Sequence, residues 1–195
     1  GGAAVENDIK RILAYSTISQ IGYIFLGLSV ANPTAVSGSL LYILMHGLAK
    51  AGLFLCAGIV IHSTNKRDIR EMGGLIKTMP ITAISFLICA FSVIGLPPLG
   101  GFFSKLLVIM GTIKAHQIWV AALALFTAIL TMYYLMRVFA LVFLGDLKIP
   151  APEKTPSMVG VVTVLALFSV LAGFFVSYPM KLVQLATTHI TWWLR

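Results

Sequence analysis

The sequence predicts an all-α, polytopic transmembrane helix bundle. Hydrophobic residues make up 59% of the 195 residues and charged residues only 10%, and the mean hydropathy is +0.99. An ordinary globular domain is about half apolar and about one quarter charged, so the surplus apolar side chains must face lipid or other helices. The apolar residues also form long runs, and about 20 of them in a row can cross a bilayer as a helix.

Six helical segments can be placed in order along the chain. They cover 9–31, 36–62, 79–97, about 100–115, 117–145 and 157–178. The fourth is too short to cross comfortably, and it follows a stretch in which Pro97 and Pro98 lack amide donors and Gly100 and Gly101 are conformationally free. We expect a broken helix near 97–101, which is stable at membrane depth only beside protein or a hydrated cavity.

The C-terminal tail differs from these segments. Residues 179–195 begin with proline, carry polar residues throughout and end in Trp192 and Trp193 followed by an arginine. Tryptophans are typical of the membrane–water interface, so we expect an interfacial amphipathic helix along the membrane or a neighbouring subunit. The chain thus divides into 1–145, with five helical segments, a loop and final transmembrane helix at 146–178, and this tail.

Counting six crossings predicts which loops share a side of the membrane. Loops 1–8 and 63–78, the turn near 116 and the tail would lie together, and most basic residues outside the helices fall there. The positive-inside rule would place that side in the cytoplasm.

Two lysines lie inside apolar segments, where an ammonium is costly. They are Lys50, in LLYILMHGLAKAGLFLCAGIVI, and Lys105, in SVIGLPPLGGFFSKLLVIMG. A charge at the bilayer centre costs about 2.5–3.5 kcal/mol on insertion scales, and such a residue normally belongs to an ion or proton pathway. The alternative for Lys105 is a tight turn between two ordinary helices, with its amine reaching the interface.

The second segment carries a row of titratable side chains. Tyr42, His46 and Lys50 repeat every four residues, which places them on one helix face. Such a row can relay protons, because histidine titrates near neutrality. The alternative is a core histidine bonded to a hydroxyl, with Lys50 in a structural ion pair.

Polar side chains on the first and fifth segments are candidates for holding water beside the lysines. They are Ser16, Thr17, Ser19 and Gln20 on the first segment, and Thr127, Thr131, Tyr133 and Tyr134 on the fifth. Hydroxyls in membrane helices also serve as plain interhelical contacts, and both roles stay open. We expect Arg137 to reach the interface, and His62, His116 and His189 to be interfacial.

Several classes of site are not indicated. Cys56 and Cys89 lie in apolar runs without CxxC spacing, which is typical of small core residues rather than a disulfide or metal site. The sequence has no second deep histidine for haem, and no phosphate-loop, nucleophile-elbow or zinc-helix motif. We expect no catalytic residue or cofactor on this chain, and no nucleic acid partner.

Four motifs point to a family. DIKRILAYSTISQIGYIFLGL, HGLAKAGLFLCAG, REMGGLIKTMP and GLPPLGGFFSKLLVI occur in that order. Together they closely resemble the antiporter-like membrane subunits shared by respiratory complex I, multi-subunit cation/proton antiporters and membrane-bound hydrogenase-type complexes. The resemblance implies that 1–145 form the second of two inverted repeats. It also implies the plasma membrane of a prokaryote or an energy-transducing organelle membrane.

The resemblance further implies residue roles. Lys50 matches a lysine on a central hydrophilic axis, and Lys105 matches the residue at the broken helix that passes the proton onward. His46 matches a histidine between them, and some relatives carry histidine in place of Tyr42. The loop with Met72-Gly73-Gly74 matches a hairpin linking neighbouring subunits, and the tail a connecting helix. In the family both lie on the external face, which contradicts the cytoplasmic placement from the positive-inside rule, and we adopt the family's placement.

The leading hypothesis is a proton-translocating subunit, or its C-terminal half, in a redox-driven complex whose iron–sulfur or flavin groups lie on partner subunits. The chain itself would be a non-redox part of an NADH-quinone oxidoreductase-like or hydrogenase-like translocase. Two alternatives remain: a subunit of a secondary Na⁺/H⁺ antiporter, and a structural half-subunit that bridges neighbours without transport.

The expected partners are other integral membrane subunits, sister antiporter-like subunits, lipid, and a first repeat on another chain. The start without Met favours a fragment, a processed chain or the second half of a split protein. Without a first repeat, the chain alone is expected not to pump.

Overall fold

The computed structural model describes residues 2–190 and contains eight α-helices in that range. They are α1 (Gly2–Val5), α2 (Ile9–Ser29), α3 (Pro33–Thr64), α4 (Pro80–Ile94), α5 (Gly100–Lys114), α6 (Ile118–Phe143), α7 (Pro156–Phe174) and α8 (Ser177–Ile190). The all-α bundle and its six predicted helical segments are confirmed, with ends shifted by a few residues. Among the described helices, α2, α3, α6 and α7 are long and apolar enough to cross a membrane individually. Trp192 and Trp193 lie outside the described residues.

Local sequence signals explain several helix starts. The Asp8 carboxylate accepts the backbone amides of Lys10 and Arg11 at 2.8 and 3.2 Å, and the Asn32 side chain accepts the amide of Thr34 at 2.9 Å. These contacts satisfy amides that have no partner within the helix. Helices α3, α4 and α7 each have proline in the first turn, where its missing amide hydrogen is harmless.

Helix α3 is the central element, and α4 and α5 lie end to end along it. Near the start of α3, the backbone of Gly38 packs directly against Val108 of α5. Near its end, Cys56 Sγ donates to the carbonyl of Thr82 in α4 at 3.6 Å. Residue numbers therefore increase along α3 in the direction in which they decrease along α4 and α5. The two short helices together make one broken crossing, antiparallel to α3.

This arrangement corrects the topology obtained by counting six crossings. The amide of Gly74 donates to the carbonyl of Leu144 at 2.9 Å, so loop 63–78 lies at the same end as the C-terminus of α6. The turn near 116, at the other end of α6, lies at the opposite end of the bundle. The prediction that this turn and loop 63–78 share a side is wrong, because the broken helix is one crossing and not two.

Helices α7 and α8 also lie end to end along α3, on a different side of it from α4 and α5. Gly173, near the end of α7, packs against Pro98 in the break, and the hydroxyls of Ser37 and Thr187 in α8 are 2.9 Å apart. The described part of the tail thus packs along the first half of α3. The C-terminus of α8 therefore lies at the end of the bundle away from the loop Met72-Gly73-Gly74. The loop and the described part of the tail therefore do not share one face, although the crossing count and the resemblance both implied that they do. Which face is external stays a prediction. An interfacial position for the tail stays a prediction.

Candidate functional site: a buried polar layer beside the broken helix

A polar layer separates two apolar clusters of the bundle. One cluster contains Leu13, Leu53 and Leu135, and the other contains Tyr23 and Leu41. The buried polar side chains lie between these positions on each helix: Ser16 and Gln20 on α2, His46 on α3 and Thr131 on α6, with Lys50 beside them. The sequence thus places polar residues at one level of three helices, midway along the bundle.

The break creates the first half of the site. Helix α4 ends at Ile94 and is capped by Gly95, whose backbone φ of 90° is one that residues other than glycine rarely adopt. The chain resumes as α5 at Gly100, so the predicted interruption is present. A Cβ atom at Gly101 would lie 1.8 Å from the carbonyl oxygen of Ser92, and one at Gly100 would overlap Met45. These two glycines therefore let the ends of the half-helices approach their neighbours, while Pro97 and Pro98 lie exposed in the connection.

Lys105 reaches back across this break. Its side chain is only 4% exposed, and Nζ donates to the carbonyl oxygens of Val93 and Ile94 at 2.8 and 3.3 Å. The last carbonyls of a helix have no partner within it, and the helix dipole attracts a cation to this end. The amine also lies 4.8 Å from the centre of the Tyr23 ring and 5.5 Å from that of Tyr42, within cation–π range.

Lys50 is held by a different helix. It is 5% exposed, and its Nζ donates to the carbonyl of Leu13 in α2 at 3.1 Å. The same carbonyl accepts the hydroxyl of Thr17 at 2.9 Å. The amines of Lys50 and Lys105 thus bind backbone oxygens of two different helices, α2 and α4. All three ion pairs among the described residues lie in the loops or at the start of α2, and none includes Lys50 or Lys105.

A hydrogen-bonded chain crosses the layer from α3 to α6. The Tyr42 hydroxyl donates to Gln20 Oε1 at 2.5 Å, and Gln20 Nε2 donates to Thr131 Oγ1 at 3.0 Å. The Thr131 hydroxyl in turn donates to the carbonyl of Thr127 at 2.8 Å. A second contact of the Tyr42 hydroxyl, to the Val93 carbonyl, is long at 3.5 Å. The carbonyl that binds Lys105 therefore also lies near the start of this chain.

The predicted row on α3 is buried but is not joined directly. The ring of His46 lies 5.6 Å from that of Tyr42, and its Nδ1 has no hydrogen-bond partner among the described residues. The hydroxyl of Tyr42 and the amine of Lys50 both turn toward α2 instead. Because a buried polar atom is normally satisfied by protein or ordered water, His46 Nδ1 is an open position in the layer.

The predicted supporting residues separate into two groups. Ser16, Gln20 and Thr131 are buried in the layer, and Thr17 is bonded to the carbonyl that holds Lys50. Ser19 is exposed, on the outer face of α2, and makes no contact with the lysines.

Tyr23 contributes to the site but was not among the predicted residues, although it follows Gln20 by three residues and so shares its helix face. Arg137 binds protein rather than reaching the interface: its guanidinium donates to the carbonyls of Ala4 and Glu6 and to the side chain of Asn7.

Comparison with known proteins adds a consistent result. Residues 1–131 match the family described as NADH:quinone oxidoreductase/Mrp antiporter, transmembrane. The chain is 42% identical over 147 residues to a Na(+)/H(+) antiporter subunit of Alkalihalophilus pseudofirmus, covering 75% of this chain and 30% of that protein. It is 38% identical over 186 residues to NADH-ubiquinone oxidoreductase chain 5 of Rhinoceros unicornis, covering 91% of this chain and 30% of that one.

A solved structure has the same fold. A chain of the Mrp complex from Dietzia sp. DQ12-45-1b superposes with a TM-score of 0.93 at 25% identity, covering 97% of this chain and 44% of that chain. The present chain thus spans about a third of the length of the curated relatives and less than half of the structural one.

Proposed function

Because the chain belongs to the NADH:quinone oxidoreductase/Mrp antiporter transmembrane family, we propose that it is the proton-translocating part of an antiporter-like subunit in a redox-driven membrane complex. It is a multi-pass membrane protein, and its structural relative belongs to a multi-subunit assembly. In this proposal protons pass between Lys50 and Lys105, and the redox groups lie on other subunits.

One observation carries the proposal: two buried amines occupy one polar layer and are bonded to backbone carbonyls instead of carboxylates. A carboxylate would hold each ammonium in its charged form, whereas a carbonyl accepts a hydrogen bond from the neutral amine as well. Two like charges in one layer repel, so protonating Lys50 favours the loss of the proton from Lys105. This repulsion couples the two sites.

The transfer step would run past Tyr42 and His46. The ring of Tyr42 lies 5.5 Å from the Lys105 amine and 5.6 Å from the His46 imidazole, and His46 is one helical turn from Lys50. A water molecule at His46 Nδ1 would receive a proton from the Lys50 ammonium as the imidazole accepts one from that water. The imidazolium would then give this proton, through water, to the neutral Lys105 amine.

A secondary Na⁺/H⁺ antiporter is the second candidate, supported by the 42% identity to the Alkalihalophilus pseudofirmus protein. The layer favours protons over sodium, because protein sites for metal cations are built from carboxylates or rings of carbonyls. All six acidic residues of the sequence lie in the loops or at the start of α2, at the end of the bundle that holds loop 63–78. A structural half-subunit without transport is the third candidate.

The test is ion uptake by the assembled complex in liposomes. We expect Lys50→Ala and Lys105→Ala to abolish proton uptake. Lys114→Ala is the matched control, because Lys114 lies on α5 like Lys105 but is exposed. Parental uptake in both buried-lysine variants would support the structural candidate. Sodium-dependent proton uptake in the absence of an electron donor would support the candidate function of a secondary Na⁺/H⁺ antiporter.

A further inference from the structure

The amine of Lys105 lies in a corner formed by two tyrosine rings. The rings of Tyr23 on α2 and Tyr42 on α3 meet edge to face, with their centres 6.2 Å apart and their planes at 69°. The Lys105 amine lies 4.8 and 5.5 Å from the two ring centres. Tyr23 and Tyr42 are buried, and a cation–π contact is stronger when it is shielded from water. We call these two rings the aromatic corner.

The Tyr23 ring is fixed in this corner by a fourth helix. The hydroxyl of Tyr23 donates to the carbonyl of Ala124 on α6, and it lies 3.2 Å from the hydroxyl of Thr127, one turn further along the same helix. A buried hydroxyl that loses its partner is costly. The ring therefore cannot turn away from Lys105 without breaking a buried hydrogen bond.

Lys50, the other buried lysine, has no such surroundings. Its amine donates to the carbonyl of Leu13, inside α2, which also accepts the hydroxyl of Thr17. Within residues 2–190, no aromatic ring lies over this amine. Lys105 instead binds the last carbonyls of α4, where the helix dipole favours a cation. The two amines thus differ in how well their surroundings stabilise a positive charge.

We propose that Tyr23 is a positioning residue that holds the transferred proton on Lys105. This inference rests on the proposed function. When the Lys50 ammonium gives up its proton and becomes an amine, the Lys105 amine accepts one and becomes an ammonium. The ring face of Tyr23 attracts the ammonium much more strongly than the neutral amine. The proton therefore stays on Lys105 until Lys50 is protonated again.

The first test measures the contact between Tyr23 and Lys105 independently of transport. Tyr23→Leu removes the ring, and Lys105→Met removes the charge but keeps a long side chain. In the purified complex, Tyr23→Leu should lower the melting temperature at least twice as much when Lys105 is present as in the Lys105→Met background. Equal losses in the two backgrounds would show that Tyr23 only fills space, and would overturn the proposal.

The second test follows proton uptake by the assembled complex in liposomes. Tyr23→Leu should slow uptake at least tenfold, and Tyr23→Phe, which keeps the ring, should restore most of it. Phe25→Leu is the matched control and should not slow uptake, because Phe25 is an aromatic residue on the exposed face of α2. Parental uptake in Tyr23→Leu, or uptake as slow in Tyr23→Phe as in Tyr23→Leu, would overturn the proposal.

A graded replacement keeps the shape of the ring and remains informative if Tyr23→Leu does not assemble. Phenylalanine with one, two or three fluorine atoms is introduced at position 23. Each fluorine withdraws negative charge from the ring face that attracts the ammonium. Uptake should therefore fall with each added fluorine, and equal uptake across the series would overturn the proposal.

The lysine variants separate this inference from the proposed function. If Lys50→Ala and Lys105→Ala both transport normally, the proposed function fails and Tyr23 has no transferred proton to hold. If both lysine variants are inactive while Tyr23→Leu transports normally, only the role of Tyr23 is wrong.

Discussion

The ammonium of Lys105 lies 2.8 Å from the carbonyl oxygen of Val93, at the end of the half-helix that precedes its own. The interruption of the helix and the buried cation are therefore one feature. The break exposes carbonyl oxygens at membrane depth, and the lysine supplies the hydrogen-bond donor that they lack. Lys105 thus has a structural role whatever its role in transport.

Replacing Lys50 and replacing Lys105 with alanine should lower the free energy of unfolding by different amounts. Lys105→Ala leaves the Val93 and Ile94 carbonyls without their buried donor, which costs about 1–3 kcal/mol. Lys50→Ala should cost less, because the Leu13 carbonyl keeps the Thr17 hydroxyl. The melting temperature of the purified complex measures both variants. Equal losses would show that the carbonyl contacts are not the source of the difference.

Gly101 should not tolerate alanine. Its Cβ atom would lie 1.8 Å from the Ser92 carbonyl oxygen, so α5 would have to move away from α4, at a cost of about 1–3 kcal/mol. Gly47→Ala is the control, since nothing lies within 4 Å of a Cβ atom there, and alanine favours a helix. Thermal unfolding of the two variants checks this. A stable Gly101→Ala variant would mean that the half-helices can separate freely.

Arg137 should hold the N-terminal segment in place. Its guanidinium makes three hydrogen bonds to residues 4–7, and Arg137→Ala should therefore speed hydrogen exchange in that segment at least tenfold. Arg11→Ala is the control, because its only ion pair, to Glu6, is 3.8 Å long and exposed. Unchanged exchange in Arg137→Ala would contradict the anchoring role.

Loop 63–78 should stay locally ordered in moderately acidic solution. The guanidinium and backbone amide of Arg70 donate to the Asp68 carboxylate and lower its pKa from 3.8 to about 2. Because the folded pKa lies below the unfolded one, this stabilisation is present above about pH 4 and is lost as the pH falls through about 2. The protection factors of the amides at residues 66–71, corrected for the intrinsic effect of pH on exchange, should therefore fall only in that window.

Asp68→Asn provides the matched control for this pH dependence. The variant lacks the titrating group, so the protection factors of its loop, which are exchange rates corrected for the intrinsic effect of pH, should not change between pH 4 and 2. A fall in protection of the same size in the variant would assign the effect to another group.

The sequence was informative where the pattern is local. Apolar runs predicted six helical segments, and Pro97, Pro98, Gly100 and Gly101 predicted the interruption, because chain length and backbone freedom depend on neighbouring residues alone. The four-residue spacing also put Tyr42, His46 and Lys50 on one buried face. Whether they carry protons stays a prediction.

Other features depend on contacts between distant segments. The partners of both lysines are backbone carbonyls of Leu13, Val93 and Ile94, and every residue has a carbonyl, so no sequence signal marks these three. Ser19 has the same residue type as Ser16 on the same helix, yet only Ser16 faces inward. The burial of a hydroxyl depends on which neighbour covers it.

The sequence by itself determined that this chain is a bundle of membrane helices with two lysines in apolar surroundings and a break beside one of them. These properties follow from composition and short-range spacing. Only the tertiary structure decided that α4 and α5 share one crossing, that each amine binds a different helix, and that Tyr134 of α6 bonds to Ser16 of α2. Those relationships arise from helix packing, which joins residues as few as 11 and as many as 118 positions apart.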